Sequence, residues 1–188
     1  MIHNEITMDL GAVVAAMQPR LREMIGANIA LQLNLEHEGL RVEADAGRIE
    51  QVVVNLITNA RDAMSEGGTI TVETSRVNVD PDFIRRKVSE SKDFKSLRLD
   101  MNSAPSEGIY ARLLVRDAGI GMDATAKKYT FDPFFITKAV GKGMGLGLST
   151  MYSIVNQSGG WISVASELGR GACFEVYLPE VGDGMRPA

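Results

Sequence analysis

The chain has 188 residues, enough for one domain with a substantial core, and its composition is ordinary: 45% hydrophobic, 23% charged, 6% aromatic. A formal charge of -4 lacks the basic excess that nucleic-acid binding requires. One cysteine, Cys173, rules out an intramolecular disulfide or a cysteine zinc cluster. With only His3 and His37, an all-histidine metal site is disfavoured too. The N-terminal MIHNEITMDLG lacks the apolar run of a signal peptide, and no stretch approaches the roughly 20 apolar residues of a membrane helix. A soluble cytoplasmic domain is expected, with membrane attachment of a longer parent left open.

Asp9 is placed to cap a first helix over LGAVVAAMQPRLREMIG, kinked or broken at Pro19 and stopped at Gly26. IALQLNLE sets Ile29, Leu31, Leu33 and Leu35 on one side of a half-buried strand, and LRVEAD gives a second short strand after Gly39. From the candidate N-cap Asp45 a helix is expected through RIEQVVVNLITNARDAM, ending before Gly67-Gly68. TITVETSRV alternates as a strand. Residues 80–108 are polar and lack clean periodicity, so they read as an insertion loop with a short helix at DFIRRKVSE. IYARLLVRD resumes the sheet. A glycine-rich stretch from Ala118 to Gly147 leads into the helix LSTMYSIVNQSG and the strands WISVASE and ACFEVYLPE. Helices and strands mix without βαβ alternation. The expected class is therefore α+β, a two-layer sandwich of a mixed sheet with helices on one face.

Four segments bear on chemistry. On the helix from Asp45, Ile49, Val52, Val53, Leu56, Ala60 and Met64 form the face to be buried, while Asn55, Asn59 and Asp62 share a neighbouring stripe. That stripe is either a solvated face or a site for a hard cation and phosphate, since Mg²⁺ prefers oxygen ligands. Asp117-Ala118-Gly119-Ile120-Gly121-Met122 follows an apolar strand. It is a plain turn or a site where a carboxylate accepts from an exocyclic amine while glycines admit a flat ring. A dinucleotide fingerprint is excluded, because no acid stands about 20 residues further on, where Thr137, Lys138, Ala139 and Val140 are found. Gly141-Lys142-Gly143-Met144-Gly145-Leu146-Gly147-Leu148-Ser149 opens a helix, as a hinge or as an anion cradle. Between the glycine clusters, FDPFFITK is core or a closing lid that carries Lys138.

Taken in order, these segments resemble the histidine-kinase branch of the ATPase superfamily shared with type II topoisomerases, heat-shock chaperones and mismatch-repair proteins. NLITNARDAM is similar to the asparagine box, DAGIGM to the first glycine box, FDPFFITK to the phenylalanine box and GKGMGLGLS to the second glycine box. NARDAM with PFFITK is most similar to the nitrogen-regulator and cell-cycle hybrid kinase subgroup. The similarity runs from about Asp45 to Pro179, interrupted by the insertion.

The resemblance implies one ATP-binding catalytic domain over 1–188, with its core at about 9–180 and an ATP lid over 123–147. The dimerisation and phosphoacceptor domain is expected elsewhere, since neither His3 nor His37 has the context of an acceptor histidine. The implied cofactors are ATP and Mg²⁺, with Asn59 on the metal and Asn55 and Asn59 as the catalytic pair. The implied nucleotide contacts are Asn59, Asp62, Asp117, Gly119, Gly121, Met122, Lys138, Gly143, Gly145, Leu146, Gly147 and Leu148. The implied activity is protein histidine kinase, transferring the γ-phosphoryl group to a histidine of the parent's dimerisation domain and acting indirectly on a response regulator. Asn55 stands where hydrolytic relatives carry a water-activating glutamate, and a carboxamide cannot serve as general base. The alternatives are a regulatory nucleotide-binding module without catalysis and an ATP hydrolase of the topoisomerase or chaperone type. Three departures bear on the pocket. Asp62 and Ala63 replace a lysine and an aromatic, leaving Lys138, Lys142 or Arg61 as the phosphate cation. Met144 and Ala172 each replace a threonine.

Overall fold

The computed structural model describes residues 6–36, 39–90, 105–131 and 147–182. It opens with β1 (Ile6–Asp9), a strand that the polar N-terminal sequence does not announce. Next come α1 (Leu10–Ala16) and α2 (Gln18–Ile25), so the expected first helix is two helices broken at Met17. Pro19 sits in the first turn of the second, where its missing N–H costs nothing. The Asp9 carboxylate caps α1 through Ala12 N at 2.9 Å and also accepts from Gly39 N at 3.1 Å. β2 (Ile29–Leu35) and β3 (Arg41–Ala44) follow. β3 pairs antiparallel with β1 in a separate two-stranded sheet instead of joining β2.

α3 (Ala46–Ala63) begins at Asp45, whose carboxylate accepts from Arg48 N at 3.1 Å. All six residues assigned to its apolar face are buried, together with Ile57. β4 (Gly68–Val79), α4 (Pro81–Glu90), β5 (Gly108–Asp117), α5 (Ala124–Tyr129), α6 (Gly147–Gln157), β6 (Trp161–Ser166) and β7 (Ala172–Pro179) complete the described chain. The main sheet runs β2-β4-β5-β7-β6, with β2 and β4 parallel and the other pairs antiparallel. α1, α2, α3 and α6 pack on one face through a single apolar cluster that joins Ile49, Val53 and Leu56 of α3 to Val72, Leu113, Val115, Phe174 and Val176 of the sheet. This is the mixed-sheet, α+β sandwich anticipated.

The opposite face is covered in part by α4. Asp80 caps it through Phe83 N at 2.6 Å. Phe83 and Ile84 pack on Val79, Tyr110, Trp161 and Tyr177, while Lys87 pairs with the buried carboxylate of Glu175. Trp161 and Tyr177 stack at 3.8 Å between centroids, and Phe83 meets both edge-on at 6.4 and 5.9 Å. The helix expected at DFIRRKVSE therefore lies against the sheet. The charged residues of this segment, Asp82, Arg85, Arg86 and Lys87 among them, conceal this apolar face from a reading of composition. Phe83→Ala removes a half-buried ring and its edge-on contacts, and is expected to cost about 2 kcal/mol. Trp161 is the only tryptophan, so urea unfolding followed by its fluorescence reads both the loss of stability and a red-shifted native spectrum.

No helix among the described residues is long and apolar enough to cross a membrane.

Candidate functional site

β5 delivers Asp117 to the end of the sheet on the face that carries α3 and α6. Its side chain is buried, with a relative exposure of 6%. Oδ1 accepts from Gly119 N at 2.8 Å and from Ala172 N at 3.3 Å, and Oδ2 accepts from no described residue. Burial raises the Asp117 pKa above the ordinary carboxylate value, while the two backbone bonds pull against that rise. The adenine aspartate expected from the sequence thus has its support from a main-chain amide of Ala172, which needs no hydroxyl at that position.

The loop after Asp117 is clamped from two sides. Ile120 N donates to Ala63 O at the end of α3 at 3.0 Å, and Gly169 N in the β6–β7 turn donates to Ile120 O at 2.8 Å. Met122 N donates to Ser166 Oγ at 2.9 Å, and that hydroxyl donates onward to Gly171 O at 2.7 Å. A Cβ at Gly119 would lie 2.5 Å from Ala63 O, and one at Gly121 would lie 2.0 Å from Glu167 O. The glycines of this loop are therefore required by neighbouring backbone, a different reason from the flat ring anticipated for them. Met122 is half-buried against the core, and the loop ends where Asp123 caps α5.

Along α3 the asparagine stripe links this loop to α6. The Asn55 carboxamide donates to Gly147 O at the first residue of α6 at 2.8 Å. Asn59 is half-buried and its carboxamide has no hydrogen-bond partner among the described residues. It stands one helical turn from Asn55 and one from Ala63, so α3 alone separates the α6 contact from the Asp117 loop by about 12 Å at 1.5 Å per residue. Asp62 is exposed, and its carboxylate is held by Arg61 Nε and an Arg61 terminal nitrogen at 3.0 and 2.8 Å. Arg61 also donates to Met24 O at 3.2 Å, which binds this candidate phosphate cation to α2. Leu148 packs its side chain against the core beside Tyr152. Phe131, the first residue of FDPFFITK, is core: it is 3% exposed and lies 5.7 Å from the Tyr152 ring. Lys138, Lys142, Gly143, Met144, Gly145 and Leu146, with Phe134 and Phe135, lie outside the described residues, as do His3 and His37.

Three participants escaped sequence reasoning: Ser166, the Ala172 amide and Gly171. Gly171 has φ +80°, and a Cβ there would lie 2.1 Å from Asp117 O. Only the glycine in LGRGA left a trace in the sequence; a serine ending a strand does not.

Asn55→Ala is expected to remove the side-chain anchor on the Gly147 carbonyl, at a cost of about 1 kcal/mol. Amide exchange should report it as faster opening of the first turn of α6, with little change in α3.

A buried carboxylate at one end of a polar helix stripe, with a helix N-terminus at the other, is chemically suited to an elongated ligand that carries a donor group at one end and anionic charge at the other. Residues 44–182 match the family model described as histidine kinase-, DNA gyrase B-, and HSP90-like ATPase. The chain belongs to that family, the one its motifs resemble. Among curated relatives it is 38% identical over 179 residues to the sensor kinase CckA of Brucella abortus, covering 95% of this chain and 17% of that protein. The chain thus spans a minor part of that relative's length. Among solved structures, the catalytic domain of histidine kinase ThkA superposes with a TM-score of 0.62 at 26% identity, covering 94% of this chain and 96% of that one. Full-length ShkA, solved in complex with AMPPNP, superposes at 0.63 and 23% identity over 100% of this chain and 34% of that one.

Proposed function

We propose that this chain binds ATP with Mg²⁺ and transfers the γ-phosphoryl group to a histidine on a separate dimerisation domain, as the catalytic part of a two-component sensor kinase. The observation that carries this reading is the state of Asp117. One oxygen is fixed by two backbone amides and the other is left to accept from an exocyclic amine such as that of adenine. α3 then leads from the base toward the N-terminus of α6, an 11-residue helix whose dipole and free amides suit phosphate. The names of CckA and ThkA, and the AMPPNP bound to ShkA, support the same assignment.

The half-buried carboxamide of Asn59, without a partner among the described residues, fits a hard cation that takes most of its ligands from phosphate and water, so Asn59 would hold Mg²⁺. When bound, Mg²⁺ supplies Lewis-acid neutralisation of phosphate charge. The chain's own residues orient and screen: Asp117 fixes the base, and the glycine-rich segment before α6 would offer its amides to the phosphates. Asn55 is neutral and turned to the Gly147 carbonyl, so it offers no base to activate water. A neutral imidazole needs none. Its ring nitrogen attacks the γ-phosphorus, the bond to the bridging oxygen breaks, and ADP leaves with that electron pair. The lid, with Lys138 and Gly143, Gly145 and Leu146, belongs to this reading, as does a response regulator acting downstream of the acceptor.

The test supplies γ-labelled ATP and a purified dimerisation domain of a sensor histidine kinase in trans. Acid-labile label on the acceptor is expected, falling about 100-fold or more in Asn59→Ala. ATP binding without transfer to any acceptor would assign a regulatory module instead. Phosphate release at comparable rate without an acceptor would assign a hydrolase.

A further inference from the structure

The sheet face turned away from α3 and α6 holds a second concavity, of about 570 Å³. Lys87 of α4, Arg116 at the end of β5, Lys127 of α5 and Arg170 of the β6–β7 turn line it, above Ser163 and Cys173 on the strands. Strand alternation places its Arg116, Ser163 and Cys173 side chains on that face. Val115 and Phe174 belong to the core under the helices, so their neighbours Arg116 and Cys173, paired across β5 and β7, point the other way. The volume lies in the range of small-ligand sites.

Four cations from four separate elements converge here in a chain whose net charge is -4. Lys87 is matched by Glu175 and Arg170 by Glu167. Arg116 and Lys127 form no ion pair with a carboxylate among the described residues. The two acids on the lining do not cancel them. Asp117 belongs by strand alternation to the helix-bearing face and forms no ion pair with either cation, and Glu167 is already engaged by Arg170. Two cations without a carboxylate partner among the described residues, together with a buried serine hydroxyl and small residues, form a recess suited to an anion.

We infer that this recess is a second ligand site, for a small phosphate ester carrying at least two negative charges and bound by Arg116, Lys127 and the Ser163 hydroxyl. A guanidinium presents two parallel N–H donors that match phosphate oxygens, and a lysine adds a point charge. The recess adjoins the site proposed for ATP, since Asp117 and Ala172 reach its rim, but its cationic groups lie on the other face of the sheet. Arg116 and Asp117 are adjacent on β5 but serve opposite faces, as Cys173 and Ala172 do on β7.

The test titrates inorganic pyrophosphate without Mg²⁺ into the full, isotopically labelled chain, with sodium chloride at matched ionic strength as the control, and reads individual amides. Saturable shifts are expected at Ala165, Gly171 and Cys173, weakened at least tenfold in both Arg116→Gln and Lys127→Gln. Lys127 is on a short surface helix, so its variant keeps the test sound if Arg116→Gln disturbs β5. Shifts that chloride reproduces, that both variants leave unchanged, or that are confined to α3 and α6 would overturn the inference. So would a chain that ignores pyrophosphate and responds to polyglutamate, since that assigns the recess to an acidic protein segment.

Discussion

Asp117→Asn is expected to weaken ATP binding about 100-fold while leaving the fold in place. The asparagine carbonyl can keep both backbone bonds that Oδ1 now accepts, from Gly119 and Ala172. What changes is the other position, where an acceptor becomes an NH₂ donor facing the donor amine of adenine. A hydrogen bond to a charged group contributes about 1.5–3 kcal/mol, and the new donor–donor clash adds to that loss. Tenfold in affinity corresponds to about 1.4 kcal/mol. Guanine presents an acceptor at the same place, so discrimination between ATP and GTP should narrow as ATP affinity falls. Calorimetric titration of both nucleotides, with thermal unfolding of the free variant as control, separates a changed pocket from a damaged one. Unaltered ATP affinity would move the base away from Asp117.

The same carboxylate sets a pH dependence whose two parts have opposite sign. Because its folded pKa is raised by burial, the native chain keeps the Asp117 proton at pH values where the unfolded chain has released it. This group's contribution to stability therefore falls as pH rises from the unfolded value through the folded one. Base recognition needs the ionised form and weakens as pH falls through that raised folded value. ATP affinity should accordingly decline in mild acid before exposed carboxylates protonate.

Much of this site was legible because its chemistry lies on regular elements. The asparagine stripe follows from the spacing of Asn55 and Asn59 within an apolar helix, and the Asp45 cap fixes where that helix starts. Asp117 is legible as the acid that ends an apolar strand. The reason for the glycines was not, since a sequence records the absence of a side chain but not what stands in its place. Around Gly119 and Gly121 that is carbonyl oxygen from α3 and from the β6–β7 turn. β1 was missed because its four residues pair with β3 outside the main sheet and bury only Met8. The role of α4 was obscured for a related reason. Phe83 and Ile84 give it an apolar face that means little until Trp161 and Tyr177, far along the chain, are known to lie beneath. Asp62, which shares the stripe, is drawn instead to its neighbour Arg61.

Gly121→Ala should destabilise the chain by about 3–5 kcal/mol, and Gly169→Ala provides the comparison that gives this figure meaning. Both glycines have positive φ, +66° and +78°, so alanine at either carries a left-handed backbone penalty of about 1–2 kcal/mol. A more restricted unfolded chain offsets this by about 0.4–1 kcal/mol. At Gly169 nothing lies within 4 Å of the added carbon, and the net effect should stay near 1 kcal/mol. At Gly121 the carbon would sit 2.0 Å from Glu167 O and 3.0 Å from Gly171 O, both backbone atoms. Relief requires the Asp117 loop and the β6–β7 turn to separate, which breaks the Gly169–Ile120 and Met122–Ser166 bonds, each worth about 1 kcal/mol. Urea unfolding of the two variants measures the difference. A loss of this size is a large share of the roughly 5–15 kcal/mol that holds an ordinary domain folded. Equal, small losses would mean that the loop can draw back from the turn at little cost, and the Asp117 carboxylate would then be less firmly placed than its two amide bonds imply.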